Sequence, residues 1–326
     1  MARRVVSGQR PTGKLHLGHL HGTLNQWVEL QKNYDTFFFV ADWHALTTAY
    51  DDVSLLKADT EDMVIDWLAV GIDPDKSVIY RQSDVGEVAE LAQYLSVLTP
   101  LGWLERNPTY KEQLKEIKGK EITTHGFLGY PILQTADITI VHGEVVPVGE
   151  DQLPHLELAR EIIRRFNSLY GKTFAEPKAQ LTKAPKVIGT DGRKMSKSYG
   201  NAIYLSDPPE VIKKKVAQMI TDPARKRRVD RGDPNACTVF DLHKIYSQSN
   251  LKTIEKECRQ ALRGCVECKA ELADSVAKSL KEFQERRASF VENPLLAKEV
   301  LEKGAQTVKP IAKATLHEVR KKLNLD

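Results

Sequence analysis

Apolar positions in the first half of the chain fall into short compact runs that alternate with stretches of helical spacing. Residues 3–7 form one such run and lead into Gly8-Gln9-Arg10-Pro11-Thr12-Gly13, a turn-rich loop. Residues 17–31 then carry apolar side chains on one helical face, and 36–41 is again a compact run, stopping at Asp42. Strand, loop, helix and strand in that order predict a βαβ unit. A second helix is expected over 53–70, a third strand over 77–81 and a third helix over 87–98. Residues 111–123 are charged and irregular, which reads as an insertion or mobile loop. Beyond them the pattern predicts a helix around 128–140, a strand at 144–148 and a long helix over 152–170. This alternation spells a parallel α/β class.

From Leu205 onward the strand-like runs nearly vanish. Amphipathic helical spacing takes over at 209–220, 240–247, 254–262, 267–290 and, with breaks, 294–323. An all-helical second domain is therefore expected, with the boundary in the polar, glycine-punctuated segment 189–201. One domain would cover 1–200 and the other 201–326, the last helix being free to pack back on the first. The length agrees, since 326 residues exceeds one typical domain and falls short of three.

Composition excludes several classes. Apolar residues make up 41% and charged ones 28%, and 19 glycines with 15 prolines are too few for a low-complexity chain. No apolar run approaches the roughly 18 residues that span a bilayer, and Arg3 and Arg4 lack the apolar stretch that follows such arginines in a secretion signal. A soluble cytoplasmic protein with no membrane partner is the expectation. The net charge of +4 hides an asymmetry: residues 1–199 hold 23 basic and 26 acidic side chains, while 200–326 hold 25 and 18. The helical half is thus the one suited to a polyanion.

All four cysteines, Cys237, Cys258, Cys265 and Cys268, lie in one 32-residue stretch spaced C-x20-C-x6-C-x2-C. A cytosolic chain disfavours structural disulfides, and four thiols ending in C-x2-C can form a tetrathiolate set for Zn²⁺ or an iron–sulfur cluster. Four buried, unliganded thiols are the plain alternative, and ligand softness does not separate the two metals.

Two short motifs carry the chemistry. His16-Leu17-Gly18-His19 sits where a loop after a strand enters a helix, the place where free backbone N–H groups and the helix dipole receive a phosphate. Two imidazoles there can donate to phosphate oxygens, and Gly18 lets a flat ring approach the backbone. Lys194-Met195-Ser196-Lys197-Ser198 lies between Gly192 and Gly200. Its two lysines, three apart on a hinge-capable loop, can neutralise charge that develops on a departing pyrophosphate.

Together these motifs resemble the signature pair of the class I aminoacyl-tRNA synthetases. Further segments resemble the tryptophanyl branch of that family: 7–13, Ala41-Asp42-Trp43-His44-Ala45-Leu46-Thr47, Gly129-Tyr130-Pro131-Ile132-Leu133-Gln134-Thr135-Ala136-Asp137 and Val146-Pro147-Val148-Gly149-Glu150-Asp151-Gln152. The resemblance implies a Rossmann-type, doubly wound parallel sheet as catalytic domain and a helical anticodon-binding domain, in a homodimer. It also implies a reaction: L-tryptophan and ATP, as its Mg²⁺ complex, form tryptophanyl-adenylate, and the amino acid then passes to tRNA(Trp).

The same resemblance assigns roles. His16, His19, Lys194 and Lys197 would be catalytic. Arg10, Thr12, Gly18, Gly149, Asp151, Met195, Ser196 and Ser198 join His19 and the lysines around ATP, Gly149 and Asp151 at the ribose. Gly8, His44, Tyr130, Gln134, Asp137, Val148 and Gln152 would form the tryptophan pocket, with Asp137 accepting the indole N–H, since an ionised carboxylate is acceptor-only. Lys213-Lys214-Lys215, Arg225-Lys226-Arg227-Arg228 and Arg231 would meet tRNA phosphates. The cysteine quartet resembles that of a subset of tryptophanyl enzymes holding a [4Fe–4S] cluster, which ranks iron–sulfur above zinc. Tyr130-x3-Gln134-x2-Asp137 also occurs in tyrosyl enzymes, so a tyrosyl-tRNA synthetase is the alternative.

Overall fold

A computed structural model describes residues 3–108, 110, 111, 114, 121–181 and 186–326. Five strands, β1 (Arg4–Gln9), β2 (Asp35–Val40), β3 (Ser77–Arg81), β4 (Val145–Val148) and β5 (Lys178–Leu181), form one sheet in the order β3-β2-β1-β4-β5. Every pairing is parallel; Val6 stands opposite Phe37 and Phe38 opposite Ile79. Strands covered on both faces need continuous apolar side chains, and β2 supplies them: Phe37, Phe38, Phe39 and Val40 are all buried. The order reverses between β1 and β4, so the doubly wound sheet has its switch point at their carboxyl ends, where Gly8 and Val148 stand.

Differences from the periodicity have local causes. β1 runs on through Gly8 and Gln9, which therefore belong to the sheet and not to the loop. The first helix is interrupted: Leu17–His19 is α-helical, Leu20–Leu24 a π turn, and Asn25–Leu30 α-helical again. Asp42–Ala49 is a helix, and the second expected helix starts at Leu56. β5, with sequence KAQL, is a half-exposed edge strand with no apolar run to announce it. The last helix, Leu296–Lys322, continues without a break through Pro310. Most of 111–123 lies outside the described residues.

By packing, the chain resolves into two compact units, each discontinuous in sequence. The first comprises Met1–Gly13, Gln26–Thr182 and Asn293–Asp326 and contains the whole sheet. Within it the helix Leu296–Lys322 lies against β3 so closely that a Cβ on Gly304 would stand 1.8 Å from the Ile79 carbonyl oxygen. Thr315 Oγ1 donates to the Ile140 carbonyl at 2.9 Å, and Arg320 pairs with Glu90 at 2.6 Å. The second unit, Lys14–Asn25 with Lys183–Glu292, is mainly helical: Pro209–Ala217 and Thr238–Tyr246 pack on Cys265–Val291 around Ile212, Val216, Leu242, Val276 and Leu280. Among the described residues no helix is long and apolar enough to cross a membrane.

Candidate active site

A cavity of about 200 Å³ opens in the first unit, lined by Gly8, Arg10, Phe39, Ala41, His44, Thr47, Phe127, Tyr130, Gln134 and Gln152. Five of the seven residues expected around the amino acid lie on its wall; Phe39, Ala41, Thr47 and Phe127 had been given no role there. Gly8 is required there because the Phe39 ring occupies the space a Cβ would take, with its Cζ only 2.4 Å away. Val148 instead packs with Ile138, Val146 and Leu156. Arg10, expected at phosphates, borders this cavity. The Tyr130 hydroxyl meets His155 Nε2 at 2.5 Å, and Asn107 Nδ2 stands 3.0 Å from His155 Nδ1. Burial pushes the Tyr130 phenol upward, so the group stays neutral and remains both donor and acceptor.

Asp137 lies deeper, fully buried on the helix His125–Ile140. His44 Nε2 stands 2.9 Å from its Oδ2, and Gln82 Nε2 donates to Oδ1 and Oδ2 at 2.8 and 2.9 Å. Burial raises the Asp137 carboxyl, while the contacts from His44 and Gln82 work to keep it ionised. Gln82 is the residue the sequence did not single out. It follows β3 with nothing periodic or motif-like around it, yet it is completely buried, and its Oε1 accepts the Trp43 N–H at 3.1 Å. Gly149 is extended ahead of the short turn Glu150–Gln152. The Asp151 side chain lies outside the described part of the structure.

The second unit carries both signature motifs. His16 precedes Leu17–His19 as its N-cap: His16 Nδ1 accepts from the Gly18 N–H at 3.0 Å, and His19 Nδ1 accepts from the His16 N–H at 3.1 Å. Both Nδ1 atoms are acceptors, so each neutral ring carries its proton on Nε2. Burial, with the Lys197 charge behind it, lowers His16 to about 4 and holds His19 well below its ordinary value. The nearest reason for glycine at 18 is the His16 ring, whose Cε1 lies 2.8 Å from where a Cβ would be; Met195 Cβ is 3.9 Å from the same point. The two motifs therefore adjoin.

Asn201, nearly fully buried, staples the lysine loop: its Oδ1 accepts the Ser196 N–H at 2.8 Å, and its Nδ2 donates to Asp191 at 2.6 Å and to the Lys194 carbonyl at 3.2 Å. Hydrogen bonds from Asn201 and Arg193 hold the Asp191 carboxyl at about 2. Gly192 and Gly200 turn the loop at φ 84° and 65°, where a side chain would be strained. Lys194, Ser198 and Arg193 are exposed, and Met195 is buried beneath them. Thr12, in the first unit, follows a tight turn in which its N–H meets the Arg10 carbonyl at 3.0 Å.

The four cysteines are half-buried, free thiols in the second unit. Burial raises the Cys258 and Cys268 thiols, and neighbouring cysteines add to the rise at both, Cys237 and Cys265 at Cys258 and Cys237 and Cys258 at Cys268. Burial pushes Cys268 up to about 12. Arg225 Nη1 points at Cys258 Sγ at 3.9 Å, and His243 Nε2 stands 3.3 Å from Cys268 Sγ. Among the described residues no three His, Cys, Asp or Glu side chains form a group fit for a single metal ion.

Of the basic clusters, Lys213, Lys214, Lys226, Arg227, Arg228 and Arg231 are exposed. Two others are committed inside the fold. Lys215 is held by Asp207 at 2.6 Å and by the Ala202 carbonyl at 2.9 Å, and Arg225 Nη2 bonds the Arg228 and Arg263 carbonyls at 3.0 and 2.7 Å.

The family model of class I tRNA synthetases for tryptophan and tyrosine matches residues 2–281. A tryptophan–tRNA ligase of Thermotoga maritima is 49% identical over 325 residues, covering 99% of each chain. One from Aquifex aeolicus is 44% identical, covering 99% of this chain and 100% of the relative. Among solved structures, the tryptophanyl-tRNA synthetase of Campylobacter jejuni in complex with ADP and tryptophan matches with a TM-score of 0.89 at 35% identity, over 99% of this chain and 100% of that one. A tyrosyl-tRNA synthetase of Archaeoglobus fulgidus, at 20% identity and a TM-score of 0.68, shares the fold. The chain belongs to the tryptophan and tyrosine branch of the class I aminoacyl-tRNA synthetases, among its tryptophan–tRNA ligases.

Proposed function

We propose that the chain joins tryptophan to tRNA(Trp) with a division of labour that follows its two motifs and its cavity. A tryptophan carboxylate oxygen attacks the ATP α-phosphorus, the bond to the bridging oxygen breaks, and pyrophosphate leaves. The 3′-terminal ribose hydroxyl of tRNA then attacks the acyl carbonyl and releases AMP. Such transfers need positioning and charge stabilisation and no protein nucleophile. His16 and His19 present Nε2–H donors to phosphate oxygens, Lys194 and Lys197 neutralise the leaving pyrophosphate with Mg²⁺, and Gly149, Asp151, Arg10 and Thr12 serve the nucleotide. Gly8, His44, Tyr130, Gln134 and Gln152 hold the amino acid, with Asp137 accepting its indole N–H. Residues 1–200 supply the chemistry and 201–326 the anticodon contacts, in a cytoplasmic homodimer.

The observation that carries this reading is the adjacency of the two motifs in one packed unit, with Met195 beside Gly18 and the Lys197 charge felt by both histidines. ATP–pyrophosphate exchange tests it: tryptophan and not tyrosine supports exchange, and Lys197→Ala slows it by roughly 10²-fold or more. Exchange with tyrosine instead would establish the tyrosyl alternative.

Cys237, Cys258, Cys265 and Cys268, spaced C-x20-C-x6-C-x2-C, resemble the quartet of the tryptophanyl enzymes that carry a [4Fe–4S] cluster, and that resemblance ranks a four-iron cluster above a single zinc for a thiolate set either could use. These four residues would hold it, and its thiolate-to-iron bonds would clamp the segments around 237, 258 and 265–268. Anaerobically purified protein should be brown, with about four irons per chain; a colourless protein with one zinc would rule the cluster out.

A further inference from the structure

We infer that Gln82 is a positioning residue for amino-acid selection: it fixes the Asp137 carboxylate in the orientation that accepts an indole N–H. The inference rests on the reading of Asp137 as the indole acceptor. Its basis is the way the Gln82 amide is locked. Oε1 accepts the Trp43 N–H at 3.1 Å, so the other end of the amide, Nε2, must face Asp137, where it spans both carboxylate oxygens at 2.8 and 2.9 Å. Flipping the amide would set Oε1 against a carboxylate and NH₂ against a backbone N–H, opposing both contacts at once. The Trp43 N–H is itself anchored by Asp42 Oδ1 at 3.0 Å, and Asp42 also accepts from the Ser83 N–H at 3.1 Å and from the Ser83 hydroxyl. Gln82 thus sits in a polar frame built by the start of the helix Asp42–Ala49 and the residues just after β3.

The consequence for specificity is chemical. A carboxylate has about four lone-pair sites, and Gln82 with His44 occupies three of them. One acceptor direction remains, with rotation of the carboxylate blocked by the two-point contact from Gln82. A single fixed acceptor favours a substrate whose one polar side-chain atom is a donor, and a misaligned acceptor loses that preference before it loses aromatic packing.

The test compares tryptophan with β-(benzothiophen-3-yl)alanine, which keeps the bicyclic shape and replaces the N–H by sulfur. In the full-length protein, kcat/KM in ATP–pyrophosphate exchange is measured for both amino acids. Wild type should prefer tryptophan strongly, and in Gln82→Met that ratio should fall by roughly ten- to a hundred-fold, the effect of a hydrogen bond to a charged group, with KM for ATP unchanged. A loss of packing alone would lower both amino acids together and leave the ratio intact, so an unchanged ratio in folded Gln82→Met overturns the proposal. If Gln82→Met does not fold, the isosteric Gln82→Glu, which holds at most one donor, should give an intermediate ratio, and a wild-type ratio there overturns it equally. Equal use of both amino acids by wild type would instead overturn the reading of Asp137.

Discussion

His16 and His19 cap each other's stretch of backbone: the His19 Nδ1 takes the His16 N–H, while the His16 Nδ1 takes the N–H of Gly18. One nitrogen of each ring does structural work, which leaves the other as a donor in a defined tautomer. Asparagine places a polar atom near Nδ1 and has nothing at Nε2. His19→Asn should therefore stay within about 1 kcal/mol of wild-type stability, the scale of a helix cap, while adenylate formation slows about 10²- to 10³-fold. Urea unfolding and single-turnover adenylation check the two halves separately; a wild-type adenylation rate would remove His19 from the phosphate site.

The same two rings set a pH dependence. An unfolded histidine titrates near 6.5, whereas burial and the Lys197 charge lower His16 in the fold to about 4 and hold His19 well below its ordinary value. Between those values the unfolded chain binds more protons, so stability is full above about pH 6.5 and falls as the pH drops toward 4. His16 accounts for up to about 3 kcal/mol of that loss. Urea midpoints between pH 7.5 and 5 should decline in wild type and less steeply in His16→Asn; a flat wild-type profile would contradict the buried neutral rings.

At the cavity floor, Gly8→Ala would drive a methyl group into the Phe39 ring. The ring must move, and its neighbours are buried, so a cost of about 1–3 kcal/mol is expected from overpacking. KM for tryptophan should rise while KM for ATP holds. Thermal unfolding with exchange kinetics measures both, and an unaltered KM for tryptophan would mean that Phe39 does not shape the amino-acid pocket.

Gly304→Ala improves intrinsic helix propensity by about 1 kcal/mol, yet here it should destabilise. The new Cβ would meet strand backbone at the Ile79 carbonyl and not a flexible side chain, so the helix or β3 has to shift. We expect a loss of more than about 2 kcal/mol, read as a lowered melting temperature. Greater stability in this variant would show that the helix does not hold its place on β3.

In the second unit, neighbouring lysines should behave differently. Lys214 is exposed, so Lys214→Ala should weaken tRNA binding and reduce the slope of log affinity against log salt by about 1 if it meets a phosphate. Lys215 is engaged by Asp207 and the Ala202 carbonyl. Lys215→Ala should lower stability and leave the salt slope alone. Filter binding across a salt series and unfolding curves distinguish them, and equal slopes for Lys214→Ala and wild type would exclude Lys214 as a phosphate contact.

The sheet was legible because β1 to β4 each carry buried apolar residues in a short run; β5 was not, because KAQL is an edge strand whose residues are half-exposed and leave no hydrophobic trace. Breaks were expected within 294–323, but Leu296–Lys322 runs as one helix through Pro310, where packing along 304–319 outweighs one missing hydrogen bond. The two signature motifs could be noticed because their spacing is local, whereas the roles expected for Gly8, His44, Tyr130, Gln134 and Gln152 came from the family resemblance of the segments that hold them. Gln82 and Asn201 could not. Each is a lone amide whose partners come from elsewhere in the chain, 39 and 55 positions away for Gln82, and only the folded backbone reveals that they are buried. Arg225 and Lys215 misled for the converse reason: a run of charge in sequence does not say which members the fold keeps for itself.

The interleaved make-up of the two units constrains how the protein can be made. Residues 14–25 leave the ribosome long before 183–292, with which they belong, and the helix that covers β3 is synthesised after that second segment. β3 must therefore wait without this helix until more than a hundred residues of the other unit have emerged, the interval in which growing chains are most exposed to misassembly and most in need of chaperones. It follows as well that neither unit can be excised by a single cut: a protein ending at residue 200 would lack the helix on β3, and one beginning at 201 would lack both histidines.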